Sequence, residues 1–335
     1  MDSLTQIVLG GSVAAAVVPA GHRRRAAAAG AVLGTLPDLD GIPLALIGAD
    51  AVTAVTWHRG PSHSLLVLAP LGWLVWLALR RWWAPAREAP GPWLAAVLLA
   101  LLTHPLLDAF TVYGTQLWWP LPFRPAMWSS VFIIDPAYTL PLLAGFVAVL
   151  ALGARARART LLVAGLVLSS AYLGWTLLAK WMVDHDARAV LAARGLQDAP
   201  RFSVPMPFNT LLWRVVVLTP DGFLEGYRSL AADDKPIAFR AFASDTQALR
   251  TLADEPPVQR LLWFTSGFMK AHAAGDDLVL SDLRMGAEPD YTFAYRVARR
   301  APGGGWQPVP PARAATSRNA RAQLAFTWER LWNEP

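Results

Sequence analysis

Seven ionisable side chains stand in or beside apolar stretches of this 335-residue chain. Asp38 and Asp40 lie in Leu36-Pro37-Asp38-Leu39-Asp40, and His58 and His63 bracket His58-Arg59-Gly60-Pro61-Ser62-His63-Ser64. His104 and Asp108 form a His-x-x-x-Asp pair, and Asp135 precedes Pro136. Residues i and i+4 of a helix share a face, about 5–6 Å apart between Cβ atoms, so His104 and Asp108 can grip one ion. Three imidazoles and four carboxylates without sulfur suit Zn²⁺ first and Mn²⁺ or Fe²⁺ next. The histidines argue against a pure Ca²⁺ or Mg²⁺ site. Seven candidate ligands exceed one tetrahedral ion, so one or two ions are expected. Each motif also has a plainer reading. The aspartates of Leu-Pro-Asp-Leu-Asp could cap a helix break, Ser62 could cap the helix after it, and Arg59 could snorkel to an interface. Taken together they are harder to dismiss, because buried carboxylates need cations and Lys/Arg are scarce around them.

The elements that must position these groups are membrane segments. Hydrophobic residues make up 54% of the chain and charged residues 16%, against about a quarter charged in an ordinary globular protein. Mean hydropathy is +0.33. Apolar stretches at 63–79, 93–110, 131–152 and 160–183 approach or exceed the roughly 20 residues that cross a bilayer. Two weaker ones, 4–20 and 26–47, bring the expected total to about six. Basic residues in short loops stay on the cytoplasmic side. Arg23–Arg25, then Arg80, Arg81 and Arg87, then Arg155, Arg157 and Arg159 fall in alternate connections, whereas 48–62 and 111–130 hold only Arg59 and Arg124. This predicts a multi-pass membrane protein with both termini outside the cytoplasm. In that topology all four motifs reach the outer side. Residues 1–183 carry 12 Lys/Arg against 7 Asp/Glu, and residues 184–335 carry 18 against 17. The expected architecture is therefore mostly α: a polytopic helical bundle over 1–183, followed by a small extramembrane α+β domain over 184–335.

In that second part, 211–218 and 223–230 flank Thr219-Pro220-Asp221-Gly222 and read as a hairpin. Further strands are expected at 237–243, 261–264 and 291–297, helices at 184–195, 245–254 and 320–332, and loops at 303–305 and 308–311. His185 and His272 are expected to face solvent. The chain has no cysteine, which excludes disulfides and thiolate chemistry. Nothing in its composition suggests a nucleic-acid partner, and it identifies no protein partner.

The motifs Met1-Asp2-Ser3-Leu4-Thr5-Gln6, Leu36-Pro37-Asp38-Leu39-Asp40, His58-Arg59-Gly60-Pro61-Ser62-His63-Ser64 and Thr103-His104-Pro105-Leu106-Leu107-Asp108, with Gly114 and Trp119-Pro120, resemble the YdjM/YbcI-type bacterial inner-membrane proteins. The resemblance covers roughly residues 1–140. It implies a metal-dependent hydrolase with metal ligands at Asp38, Asp40, His58, His63, His104 and Asp108, and Asp135 as a further candidate. Many relatives have a histidine where this chain has Gln6.

The reading that follows is hydrolysis of a phosphoester on a lipid or lipid-linked substrate by metal-activated water. Asp135 or Asp40 would serve as general base, and Arg59 or Arg124 would pair with phosphate. Two alternatives use the same ligands: a metal-binding transporter, and a non-catalytic scaffold stapled by metal.

Overall fold

A computed structural model describes residues 1–316 and 319–334. The chain falls into two compact units, one of residues 1–43 and 58–176, the other of residues 44–57 and 177–335.

The first unit is helical. Helix α1 (Ser3–Val17) starts where Asp2 accepts the Thr5 N–H at 3.1 Å. Helix α2 (Arg23–Thr35) ends in a 3₁₀ turn, Leu36–Asp40, with Pro37 at its first positions. A short α3 (Gly41–Leu46) follows, then α4 (Ala51–Trp57), which belongs to the second unit. A second 3₁₀ turn, Pro61–His63, leads into α5 (Leu65–Trp82). The cap of α5 is Ser64, whose hydroxyl accepts the Leu66 N–H at 3.2 Å, and not Ser62. Helices α6 (Ala84–Glu88), α7 (Pro90–Ala109), α8 (Pro136–Leu152) and α9 (Ala156–Ala192) complete the series. Among the described residues, α5, α7 and α9 are long and apolar enough to cross a membrane. Helices α1 and α8 are apolar but shorter, at 15 and 17 residues. The stretch 26–47 is no single span, because Pro37 closes off α2 and the chain turns through tight 3₁₀ geometry.

Close backbone contact sets α1 against α2. A Cβ built at Gly30 would stand 2.3 Å from the Gly10 carbonyl oxygen, and one at Gly10 would stand 2.4 Å from that of Gly30. Gly30 and Gly34 form a small-xxx-small face of the kind that lets apolar helices approach without a side chain between them.

The second unit carries two antiparallel four-stranded sheets. The first runs β1 (Arg201–Pro205), β2 (Leu212–Thr219), β3 (Gly222–Ser229), β4 (Phe239–Ala243) in that order. Ala179, Val183, Ala187 and Leu191, spaced at i, i+4 along the C-terminal half of α9, pack on Trp213, Val215 and Val217 of β2. Inside this unit Arg214 and Glu225 form a buried pair, with Nε–Oε2 at 2.8 Å. Burial disfavours the Arg214 charge, but the Glu225 carboxylate more than offsets this and raises its pKa.

Helices α10 (Thr246–Thr251) and α11 (Pro256–Phe264) lie between the sheets in sequence. The expected strand at 261–264 is the end of α11. Pro256 and Pro257 start the helix, and Val258, Leu261 and Phe264 bury one helical face. Helix α4 packs on α11, where the Arg260 side chain donates to Thr56 Oγ1 at 3.1 Å.

The second sheet is built of β5 (Met269–Ala274), β6 (Asp277–Asp282), β9 (Ala294–Arg300) and β10 (Trp306–Arg313), ordered β10-β9-β6-β5. The pair β7 (Gly286–Ala287) and β8 (Asp290–Tyr291) makes a small ribbon. Residues 308–311, expected as a loop, lie within β10. Prolines are tolerated there because β10 is an edge strand with no partner on its outer side. Helix α12 (Ala320–Trp332) ends the described chain.

Gly30→Ala should drive α1 and α2 apart and cost about 1–3 kcal/mol, the usual range for overpacking. The expected readout is a lower unfolding midpoint in detergent. An unchanged midpoint would mean that the glycine contact does not hold the pair together.

Candidate metal centre

Four of the expected ligands converge. Asp38, His63, His104 and Asp108 each offer one atom, and these atoms lie within 4.8 Å of one another. Asp38 comes from the 3₁₀ turn after α2, His63 from the turn before α5, and His104 and Asp108 from successive turns of α7. His63 Nε2 and His104 Nε2 are 3.1 Å apart. Asp38 Oδ1 is 3.4 Å from each of them. Asp108 Oδ2 is 3.2 Å from His63 Nε2 and 3.4 Å from His104 Nε2. Four ligand atoms about 2.0–2.2 Å from a shared tetrahedral ion stand roughly 3.3–3.6 Å from one another, close to these separations.

The outer hydrogen bonds fix which ring atoms face inward. His104 Nδ1 lies 2.5 Å from the Gly34 carbonyl oxygen, which only accepts, so Nδ1 carries the hydrogen. Ser62 Oγ donates to Asp40 Oδ2 at 2.6 Å and is thereby free to accept from His63 Nδ1 at 2.9 Å. Both Nε2 lone pairs then point at the two carboxylate oxygens. Asp108 Oδ2 is buried and has no hydrogen-bond partner. Arg59 Nε and the Met1 amino group answer part of the Asp108 charge, and a divalent cation at the centre would join all four donors. Two nitrogen and two carboxylate oxygen donors form a set that a borderline metal such as zinc accepts.

Around this set sits a second layer. Gln6 Nε2 donates to Asp108 Oδ1 at 3.1 Å and to the His104 carbonyl at 3.3 Å, and the Met1 amino group also contacts Asp108 Oδ1. Gln6 therefore orients one of the four candidate ligands. Thr5 bonds Asp2 and, at 2.7 Å, Thr139 of α8. Asp40 receives His58 Nδ1 at 2.7 Å, the Arg59 N–H at 3.1 Å and the Ser62 hydroxyl. Asp40 and His58 thus adjoin the four-residue group without entering it, Asp40 coming to 3.8 Å from His63 Nδ1.

Two further expectations need correction. Arg59 does not snorkel: it is 3% exposed, with Nε 3.1 Å from Asp108 Oδ2 and Nη1 donating to Thr111 at 3.0 Å. Its backbone sits at φ +61°, a strained conformation for a non-glycine residue, held by the bond from its N–H to Asp40. Asp135 stands apart from the cluster. It caps α8 through the Ala137 and Tyr138 N–H groups and accepts the Tyr172 hydroxyl at 2.9 Å. Arg124 is exposed.

An apolar helical bundle with buried histidine and aspartate ligands beside it defines a helical membrane protein with a candidate metal centre. The chain belongs to the YdjM inner membrane protein family, whose pattern it matches over residues 1–183. No curated protein and no solved structure matches it.

Loss of an outer partner typically weakens metal binding 10–100-fold, so Asp40→Asn should lower affinity by about that factor while Asp38→Ala abolishes stoichiometric metal. Elemental analysis of the purified variants beside the wild type, with competition against a chelator, checks this. Equal metal content in all three proteins would contradict the assignment.

Proposed function

We propose that this family member is a metal-dependent hydrolase of a phosphoester carried by a lipid or lipid-linked substrate, with zinc as the best-fitting ion. The observation that carries this reading is the pairing of the four-donor cluster with a partly open acid–base pair beside it. The Asp38, Asp40 and His58 side chains keep 20%, 12% and 32% exposure, whereas those of His63, His104 and Asp108 have none. Bound there, a divalent ion would polarise a phosphoryl oxygen and lower the pKa of water toward about 7.

The chain's own residues supply the rest. Asp40 fixes the His58 ring through Nδ1 and leaves Nε2 to take or return a proton at the open edge. Ser62 transmits the same carboxylate to His63, so one aspartate orients both imidazoles. Arg59, buried against Asp108, positions that ligand and does not meet substrate. Asp135 is left to its helix and Tyr172.

A second reading has its own support. Four protein ligands on one ion is the pattern of structural zinc sites, which favours a metal-stapled scaffold. Turnover of bis(p-nitrophenyl) phosphate separates the two. For the hydrolase, His58→Ala should lose about 10²–10⁴-fold in rate and keep its metal, as removal of a general acid–base group does. A wild type that holds metal and shows no turnover of any phosphoester would leave the scaffold.

The charge pattern of the loops supports a multi-pass arrangement with residues 184–335 outside the cytoplasm. Because the chain has no cysteine, Gly303→Cys, at an exposed turn, offers a single label. A membrane-impermeant maleimide should modify it in intact spheroplasts. Labelling only after lysis would reverse the orientation.

A further inference from the structure

The second sheet carries a cavity of about 430 Å³ that the metal centre does not use. It lies on one face of β5, β6 and β9. His272 pairs across to Val279, and Val279 to Arg296, while Ser281 pairs to Ala294. Short side chains at Ser281, Ala294 and Ala312 leave the space, and His272, Arg296 and Tyr291 line it. The volume falls within the range of small-molecule sites, roughly 300–1,000 Å³. His272, expected in solvent, is half-buried here, and burial together with Lys270 lowers its pKa.

Three polar atoms around this space make no hydrogen bond. Tyr291 is 3% exposed, and its buried hydroxyl makes no hydrogen bond of normal geometry although the Glu288 carboxylate is its neighbour. Burial raises the Tyr291 pKa, so the phenol keeps its proton and remains a donor. Arg296 Nε and His272 Nδ1 are likewise buried and unpartnered. Arg296 has no carboxylate within ion-pair distance among the described residues. The acids nearby are engaged elsewhere: Asp277 pairs with Arg299 at 3.2 Å, and Glu288 with Lys270 at 2.6 Å. The second oxygen of Glu288 is buried close to Tyr291. Buried donors left without acceptors are rare in folded proteins and call for an occupant. A guanidinium and a phenol, with an imidazole whose Nδ1 donates in one of its two tautomers, match a ligand group that accepts, and guanidinium favours oxyanions in particular.

We infer that this cavity binds a small soluble acid, presenting a carboxylate or phosphoryl group to Arg296, Tyr291 and His272. The inference is independent of the hydrolase reading, since it uses none of the metal-centre residues.

The test is isothermal titration of the full-length protein in detergent with inorganic phosphate and, separately, acetate. It is run on wild type, Arg296→Gln, Tyr291→Phe and chelator-treated wild type. Expected are saturable binding of at least one probe that survives chelation, a tenfold or greater loss in Arg296→Gln, and a several-fold loss in Tyr291→Phe. The tighter probe then assigns the ligand's acidic group. Tyr291→Phe removes one oxygen atom and keeps the ring, so it remains informative if the arginine variant does not fold. Absence of saturation with both probes, affinity unchanged in the variants, or binding lost on chelation would each overturn the inference.

Discussion

Four unshared electron pairs aimed at one point, from two imidazoles and two carboxylates, constrain everything around them in the first unit. Such an arrangement is unfavourable alone and would be favourable around a cation, so the surrounding structure must hold it together. The separations of 3.1–3.4 Å show how tightly it is held. The means are the outward bonds of the two rings, to the Gly34 carbonyl and to Ser62. Neither ring can rotate without giving up a buried hydrogen bond, so the metal-facing edge is selected before binding.

These bonds tie the centre to helix packing. The Gly34 carbonyl reaches His104 because α2 lies in backbone contact with α1 and beside α7. Gln6, one turn into α1, reaches Asp108 for the same reason. Arg59 and Ser62 meet Asp40 because the strained backbone at Arg59 folds the His58–His63 segment over that carboxylate. Ligands from three separate segments are thus held by side-chain bonds that the close packing of α1, α2 and α7 brings within reach.

Much of this was legible in the sequence because intramembrane charge is costly and therefore conspicuous. Asp38, His63, His104 and Asp108 stood out as ionisable groups in apolar surroundings, and the i, i+4 spacing placed two of them together. What spacing could not tell was which of the seven would meet. Asp40 and His58 look like ligands in the sequence, yet their mutual bond makes them a supporting layer. Asp135 precedes a proline-started helix, the signature of a cap, and capping is what it does. The Gly34 carbonyl had no signal at all, since a backbone acceptor leaves no mark on residue identity. In the second unit the Thr-Pro-Asp-Gly turn announced β2 and β3. By contrast, β1, β5 and β6 are short strands without a strong alternating pattern, and the prolines of β10 disguised an edge strand as a loop.

Those prolines have a consequence of their own. Pro308, Pro310 and Pro311 remove amide hydrogens from the edge strand of the second sheet, while at its other border β5 is engaged by Ser244 and Asp245, through Ala271. A passing extended chain therefore finds no complete row of donors and acceptors to zip onto at either margin. The sheet is finished at four strands.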